Sequence, residues 1–250
     1  MIPVLFSFGP FHIYSFGAAV AAGIFFSLYL MHRQALKDGF PKTEEVTDWV
    51  FVTVLSGFLG SRLLYILQNL GWYMERPLEI FYLWEGGLIF YGGVVAAVAA
   101  LIIYFRKKKI PVLKGFDFLF IYLALTHAFG RLGCFLNGCC YGTQCDLPWA
   151  IRFPNQEYAV HPTQLYEGIL DLGLFFFLRA RYNHKKWDGQ IMSFYLIGYG
   201  IIRFVVEIFR ADNPVTFSLT WNQWISIAFI FAGLCFKKIT TKLTGQVHHA

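Results

Sequence analysis

The chain has 250 residues, of which 57% are hydrophobic, 20% aromatic and only 14% charged. A soluble domain carries about a quarter charged residues, so this composition excludes an ordinary water-soluble globule. The formal net charge is +6, and its distribution along the chain says more than its total.

In chain order, apolar runs occupy residues 13–31, 47–69, 86–105, 116–136, 162–178, 191–209 and 221–236. A helix needs about 20 apolar residues to cross a bilayer. Lipid admits only helices or closed barrels, and these runs are too long and continuous for barrel strands. The predicted fold is therefore an all-α polytopic membrane protein of seven transmembrane helices, forming one integral membrane domain over 1–250. The first residues lack a basic n-region and a small-residue cleavage pattern, so no cleavable signal peptide is expected. The connections 32–45, 106–115, 179–190 and 237–250 hold 3, 5, 4 and 3 Lys or Arg. They alternate, so they lie on one side, and the positive-inside rule makes that side cytoplasmic. The N-terminus is then expected outside and the C-terminus in the cytoplasm. Runs such as Arg106-Lys107-Lys108-Lys109 read as topology signals, and no nucleic-acid partner is expected. Residues 72–85, rich in aromatics and acids, are expected to lie along the outer interface as an amphipathic arm. The glycine pairs at 57 and 60, 86 and 87, 92 and 93, and 198 and 200 have two readings: close helix packing or a helix break beside a cavity. The closing TGQVHHA reads as a disordered tail.

Of the 21 basic residues, six lie outside those connections: Arg62, Arg76, Arg131, Arg152, Arg203 and Arg210. All are arginine. Charge inside a span is costly and marks function by default, and the planar guanidinium binds phosphate in a bidentate way that lysine cannot match. Arg76 and Arg152 fall in outer loops, where snorkelling explains them. Arg131 and Arg203 are not explained that way.

Three constellations stand out. Arg203, Glu207 and Arg210 share one helix face at i, i+4 and i+7, which leaves one positive charge over. His161, Gln164 and Glu167 fall on neighbouring turns with Tyr166 beside them, behind a Pro162 suited to a helix start. His161 is a plausible proton acceptor. Cys134, Cys139, Cys140 and Cys145 include no CxxC pair; they read as structural thiols or one disulfide, and no metal site is expected. Cys235 reads as a small hydrophobe.

GRLGCFLNGCCYG at 130–142, HPTQLYE at 161–167 and the Arg-Phe-x-x-Glu-x-x-Arg pattern at 203–210 together resemble the prolipoprotein diacylglyceryl transferase family. IYSFG at 13–17, GSRLLY at 60–65, EGGLIFYGG at 85–93 and NQW at 222–224 agree in order and spacing. The resemblance implies a seven-span enzyme of the bacterial inner membrane whose active site faces the periplasmic or outer leaflet. It implies transfer of the diacylglyceryl group of phosphatidylglycerol to the lipobox cysteine thiol in the signal peptide of a preprolipoprotein. A thioether forms and glycerol phosphate leaves, without metal or cofactor; the expected partners are these two substrates and membrane lipids. It further implies that Arg131 binds the head group and that Arg203 is essential in a second basic site. Tyr14, Asn137, Gly142 and Glu207 match motif positions. Tyr91 stands where some members have histidine, Cys134 where others have asparagine and Cys139 where others have glutamate.

The expected mechanism clamps the lipid phosphate between Arg131 and Arg203, with Glu207 and Arg210 orienting the clamp. Preorganised guanidinium groups in a low-dielectric site stabilise charge developing on the departing phosphate. The thiol must become thiolate to attack; His161, Tyr91 and Glu207 are candidate acceptors that the residues alone do not rank. Two other classes share these features, a transporter for an anionic solute lined by the arginines and a membrane thiol–disulfide protein built on the cysteines.

Overall fold

The computed structural model describes residues 3–8, 11–82, 86–154, 156–210 and 216–245. Residues 246–250 of the tail and Glu85 of EGGLIFYGG lie outside the described residues. The chain opens on an antiparallel hairpin, β1 (Val4–Phe8) with β2 (Phe11–Tyr14), in which Ile13 opposes Phe6 and Tyr14 opposes Val4. This corrects the start of the first predicted span. Residues 13 and 14 are strand, and α1 runs Ser15–Asp38. Two short runs rich in aromatic and β-branched residues around a Gly-Pro pair favour a pleated hairpin.

Then come α2 (Thr43–Gln68), α3 (Leu70–Glu75), a 3₁₀ turn (Pro77–Phe81), α4 (Phe90–Lys107), α5 (Val112–Asn137), α6 (Thr163–Tyr182), α7 (Gln190–Ile208) and α8 (Trp221–Gly245). A long helix occupies most of each predicted apolar run, but the third begins at Phe90, because Gly86 and Gly87 at positive φ hold residues 86–89 outside the helix. Several helices continue past the end of their run into basic residues, because Lys and Arg are good helix formers and suit the negative C-terminal end of the dipole. Lys37, Arg106 and Arg179 close α1, α4 and α6 in this way. Among the described residues, α1, α2, α4, α5 and α7 are long and apolar enough to cross a membrane. The apolar part of α8 is shorter, Trp221–Phe236, and α6 carries Glu167, Asp171, Arg179 and Arg181. Large apolar side chains such as Phe25, Phe51, Leu59, Val95 and Ile169 are exposed. Water would penalise this surface, and a bilayer would cover it. The molecule is a multi-pass membrane protein.

The chain divides into two compact units. In Leu30–Gly115, α2 lies along α4 through facing small residues. A Cβ on Gly60 would fall 2.2 Å from Ala96 Cβ and 2.6 Å from the Gly92 carbonyl oxygen. Gly86 and Gly87, by contrast, adopt φ of 84° and 79°, a region that favours glycine, just before α4 begins. The packing reading thus holds at Gly60 and Gly92 and the chain-break reading at Gly86 and Gly87. Trp49 and Phe105 form the buried centre of this unit, ring centroids 4.8 Å apart.

The second unit combines Met1–Tyr29 with Phe116–Ala250. Here α7 packs along α8 and against α6, and Gly200 sits where a Cβ would meet Ile230 and the Ser226 carbonyl. The N-terminus of α7 is capped from a distance. The Asp117 carboxylate on α5 accepts hydrogen bonds from the amides of Gly189, Ile191 and Met192 at 2.8, 2.9 and 3.0 Å. Asp117 is fully buried and also accepts a hydrogen bond from Lys185 Nζ at 2.9 Å. These contacts fix where α7 starts, and hence the height at which its arginines stand.

Candidate active site

Arg131 on α5, Glu167 on α6, and Arg203 and Glu207 on α7 converge into one ion-pair network. Arg131 Nη2 donates to Glu167 Oε1 at 2.7 Å. The other carboxylate oxygen of Glu167 faces Arg203 Nη1 at 3.6 Å. Arg203 Nη2 pairs with Glu207 Oε2 at 2.8 Å, and Arg210 Nε lies 3.8 Å from the same oxygen. Glu207 Oε1 accepts hydrogen bonds from Thr220 Oγ1 and Asn222 Nδ2, both at 2.8 Å. The i, i+4 spacing brings Arg203 and Glu207 together along α7, whereas Arg210 lies two residues beyond the end of that helix and reaches Glu207 from the turn that follows, so the expected three-residue helix face is corrected at Arg210.

The two carboxylates are the deepest members, with side chains 2% and 0% exposed, against 20% for Arg131 and 12% for Arg203. Charges this buried are tolerated when paired and hydrogen-bonded. Glu167 and Glu207 therefore act as fixed anchors that aim the guanidinium groups. The directly paired set comprises three guanidiniums and two carboxylates, one positive charge in excess. A directly paired set with this excess can take an anion.

Beside Arg131 runs an apolar groove of about 260 Å³, lined by Ala128, Phe129 and Leu132 of α5 and Leu165, Gly168 and Ile169 of α6. Gly168 lies in its wall close to Arg131, whose Cβ would be 3.4 Å from a Cβ added at Gly168. An apolar slot whose wall borders the stem of Arg131 can take the tail of an amphiphile with an anionic head.

Asn137 is the last residue of α5, three residues after Cys134 and two before Cys139. Gly142 lies where the Phe209 carbonyl oxygen would be 2.2 Å from an added Cβ, and its amide donates to the His161 carbonyl at 2.8 Å. Only glycine lets the loop after α5 approach the end of α7 this closely. His161 precedes α6, and its Nδ1 stands 3.2 Å from Tyr166 Oη while its ring packs against Phe209 at 5.1 Å. Tyr14 ends β2 and is more than half exposed. Tyr91 belongs to the Leu30–Gly115 unit, in the first turn of α4, and is also more than half exposed.

The six arginines outside the basic connections have different surroundings. Arg131, Arg203 and Arg210 share the network. Arg62 spends its donors on backbone carbonyls, from Nε to Ile80, from Nη1 to Gly86 and Gly87, and from Nη2 to Glu79 and Tyr82, at 2.6 to 3.4 Å. It braces residues 79–82 and 86–87. Arg76 pairs with Glu79 and lies over the Trp72 ring at 4.3 Å, and Arg152 Nε donates to the Gln156 carbonyl at 3.3 Å.

Sequence reasoning noted Glu167 beside His161 and Gln164 but did not see it as the carboxylate shared by Arg131 and Arg203. Its heptapeptide HPTQLYE carried the signal, yet the partners are remote in sequence. Asp171, one turn further along α6, is 1% exposed, and its carboxyl has no hydrogen-bond partner among the described residues. The apolar run ILDLGLFFF concealed it.

The five cysteines, all among the described residues, are free thiols, which selects the thiol branch over a disulfide. Gly138, at φ 72°, closes α5 in a Schellman motif. The Cys139 amide donates to the Cys134 carbonyl and the Gly138 amide to the Phe135 carbonyl, both at 3.1 Å. That turn folds Cys139 and Cys140 back against Cys134.

Compared with known proteins, the chain matches the family described as prolipoprotein diacylglyceryl transferase over residues 3–238. It is similar to the phosphatidylglycerol–prolipoprotein diacylglyceryl transferase of Clostridium tetani (strain Massachusetts / E88), 35% identical over 240 residues covering 94% of this chain and 96% of that protein. Proteins of the same name from Bordetella parapertussis, 35% identical over 242 residues and 92% of each chain, and Idiomarina loihiensis, 33% identical over 240 residues covering 93% of this chain and 90% of that one, are similar along the same length.

Proposed function

The chain belongs to the prolipoprotein diacylglyceryl transferase family, and on that premise we propose how its residues act. It is a transferase of lipoprotein biosynthesis that moves the diacylglyceryl group of phosphatidylglycerol to prolipoprotein. The acceptor is the lipobox cysteine thiol of the signal peptide. The chain works as one integral domain of seven spans in the bacterial inner membrane, N-terminus out and C-terminus in, with its site at the periplasmic leaflet. Two observations support this: the basic residues cluster in alternate connections, and one family match runs through both compact units.

Arg131 and Arg203 hold the lipid phosphate, and Arg210 adds charge at its edge. Glu167 and Glu207 keep the guanidiniums in place before the lipid arrives, so little reorganisation is needed as charge develops. The groove beside Gly168 takes an acyl chain. The substrate thiolate attacks C3 of the glycerol that carries the acyl chains, the C3–O bond breaks, and glycerol phosphate leaves with the bonding electrons. Negative charge concentrates on that phosphate, where the guanidiniums already stand. Glu207 is committed to two hydrogen bonds and two arginines, which leaves His161 as the acceptor for the thiol proton within this unit; Tyr91 is a candidate on the family pattern alone. Tyr14, Asn137 and Gly142 shape the head-group site. A phosphodiester supplies its own leaving group, so the step calls for no cofactor.

The observation that carries this reading is the shared carboxylate, because Glu167 holds two arginines from two other helices in one anion-ready arrangement. The test compares Arg131→Ala and Arg131→Lys for transfer to a lipobox peptide in phosphatidylglycerol micelles. Both are expected to fold and to lose most activity, since lysine lacks the bidentate fork. A folded Arg131→Ala variant with near-normal transfer would sink the clamp. A transporter reading is disfavoured by the paired, anchored state of these arginines, and a redox reading predicts loss of activity when all five cysteines become serine.

A further inference from the structure

We propose that Cys134, Cys139 and Cys140 form a binding site for one thiophilic d¹⁰ metal ion such as Zn(II), Cd(II) or Cu(I). Their three Sγ atoms all lie within 4.8 Å of one another. Three thiolates around one Zn(II) at a bond length of about 2.3 Å hold their sulfurs about 4 Å apart in a plane. The thiols therefore close on an ion through small side-chain rotations.

The backbone that carries them is already fixed. The Schellman bond ties Cys139 to Cys134. Gln164 Nε2 donates to the Cys139 carbonyl at 2.6 Å, and Thr163 Oγ1 to the Cys140 carbonyl at 2.9 Å. Cys140 is held at φ 64°, a left-handed conformation uncommon outside glycine, and this conformation accompanies the return of its side chain toward Cys134. The Cys139 thiol points back to the Cys134 carbonyl at 3.6 Å, a contact that holds its sulfur beside Cys134 and that metal binding replaces. Cys134 is buried while Cys139 and Cys140 are partly accessible, which gives an ion its way in. The C-x₄-C-C spacing conceals such a site from a motif search, because the helix C-cap and not the chain spacing joins the ligands.

On binding, each thiol breaks its S–H bond, forms a metal–sulfur bond and releases a proton to the buffer; no electron moves. Three thiolates with one Zn(II) carry a net charge of −1. Arg131 and Arg210 are within electrostatic range of the cluster and balance that charge. A phosphodiester carries the same charge, so a loaded site competes with the lipid for Arg131. That consequence rests on the functional reading above; metal binding itself does not.

The test titrates the reduced, detergent-solubilised full chain with Cd(II) and follows the thiolate-to-metal absorption in the ultraviolet. One equivalent is expected. Affinity should fall in Cys134→Ser, Cys139→Ser and Cys140→Ser by more than the about 10–100-fold that outer-shell changes cost, and stay unchanged in Cys145→Ser and Cys235→Ser. Peptide mass spectrometry of the wild-type chain, needing no variant, should show Cd(II) protecting Cys139 and Cys140 from alkylation but not Cys145. No saturable binding, binding indifferent to the three serine variants, or protection centred on Cys145 overturns the site. Zn(II) should also raise KM for phosphatidylglycerol at unchanged kcat; a bound ion that leaves KM unmoved overturns the competition.

Discussion

Arg131 and Glu167, thirty-six positions apart in sequence, meet at 2.7 Å in an ion pair that ties α5 to α6 near the apolar groove. Glu167 is 1% exposed, so removing its charge leaves guanidinium groups without their anchor. Breaking a buried pair by removing one partner costs about 3–5 kcal/mol. Glu167→Gln keeps the shape and is expected to lower the unfolding temperature in detergent and to reduce kcat/KM at least as strongly as it reduces stability. Unchanged kinetics in a folded Glu167→Gln protein would separate Glu167 from the site.

Gly168 offers a test of the lipid slot. Gly168→Ala adds a methyl at ordinary contact distance from Arg131 and should be nearly neutral. Gly168→Leu fills the groove and should raise KM for long-chain phosphatidylglycerol by about tenfold, the equivalent of losing about 1.4 kcal/mol of apolar burial. A short-chain lipid should feel the change much less. Equal effects on both lipids would remove the groove from substrate binding.

Arg62 makes the opposite prediction to Arg131. Its guanidinium is committed to carbonyls within residues 79–82 and 86–87, and a lysine has three donors where arginine has five. Arg62→Lys is expected to speed amide exchange in residues 77–89, with a local cost of about 1–3 kcal/mol for unpaired buried acceptors. KM for phosphatidylglycerol should stay within about twofold, well under the roughly tenfold that 1.4 kcal/mol represents. A large rise in KM would return Arg62 to the anion-binding set.

The Lys185–Asp117 contact predicts a pH effect at the connection before α7. Burial pushes the Lys185 ammonium toward deprotonation, but hydrogen bonds to Asp188 and Asp117 outweigh it and raise its pKa above the ordinary 10.5. A raised folded value means that the stabilisation is complete below the unfolded value and is lost as pH climbs through the folded one. Wild type should thus exceed Lys185→Gln in unfolding temperature at neutral pH, and the gap should shrink as pH rises beyond 10.5. A gap that persists at the alkaline end would assign the effect to packing.

Much of the architecture is legible in the residues because apolar runs long enough for lipid have few alternatives to helix. Each predicted run carries a long helix, and the pairing of Arg203 with Glu207 follows from helical period alone, although Arg210 lies beyond the end of α7. Boundaries were less legible. Residues 13 and 14 belong to a hairpin, since β-branched and aromatic residues suit strand and membrane helix equally, and the basic helix ends continue past the apolar signal.

The local constellations show the division most clearly. Sequence by itself determined that this chain crosses a membrane many times, that certain arginines needed an explanation beyond topology, and that Arg203 stands one turn from Glu207. It could not determine which of the six arginines serve the same anion, because Arg62, Arg131 and Arg203 look alike until their donors are traced. Tertiary structure decided that Arg62 braces a loop, that Glu167 unites Arg131 with Arg203, and that a helix C-cap gathers three thiols lacking any metal-ligand spacing. The physical reason is range. Hydropathy and helical period act over a few turns of one segment, whereas pairing of a buried charge is settled by whichever segment folding brings to within about 3 Å of it.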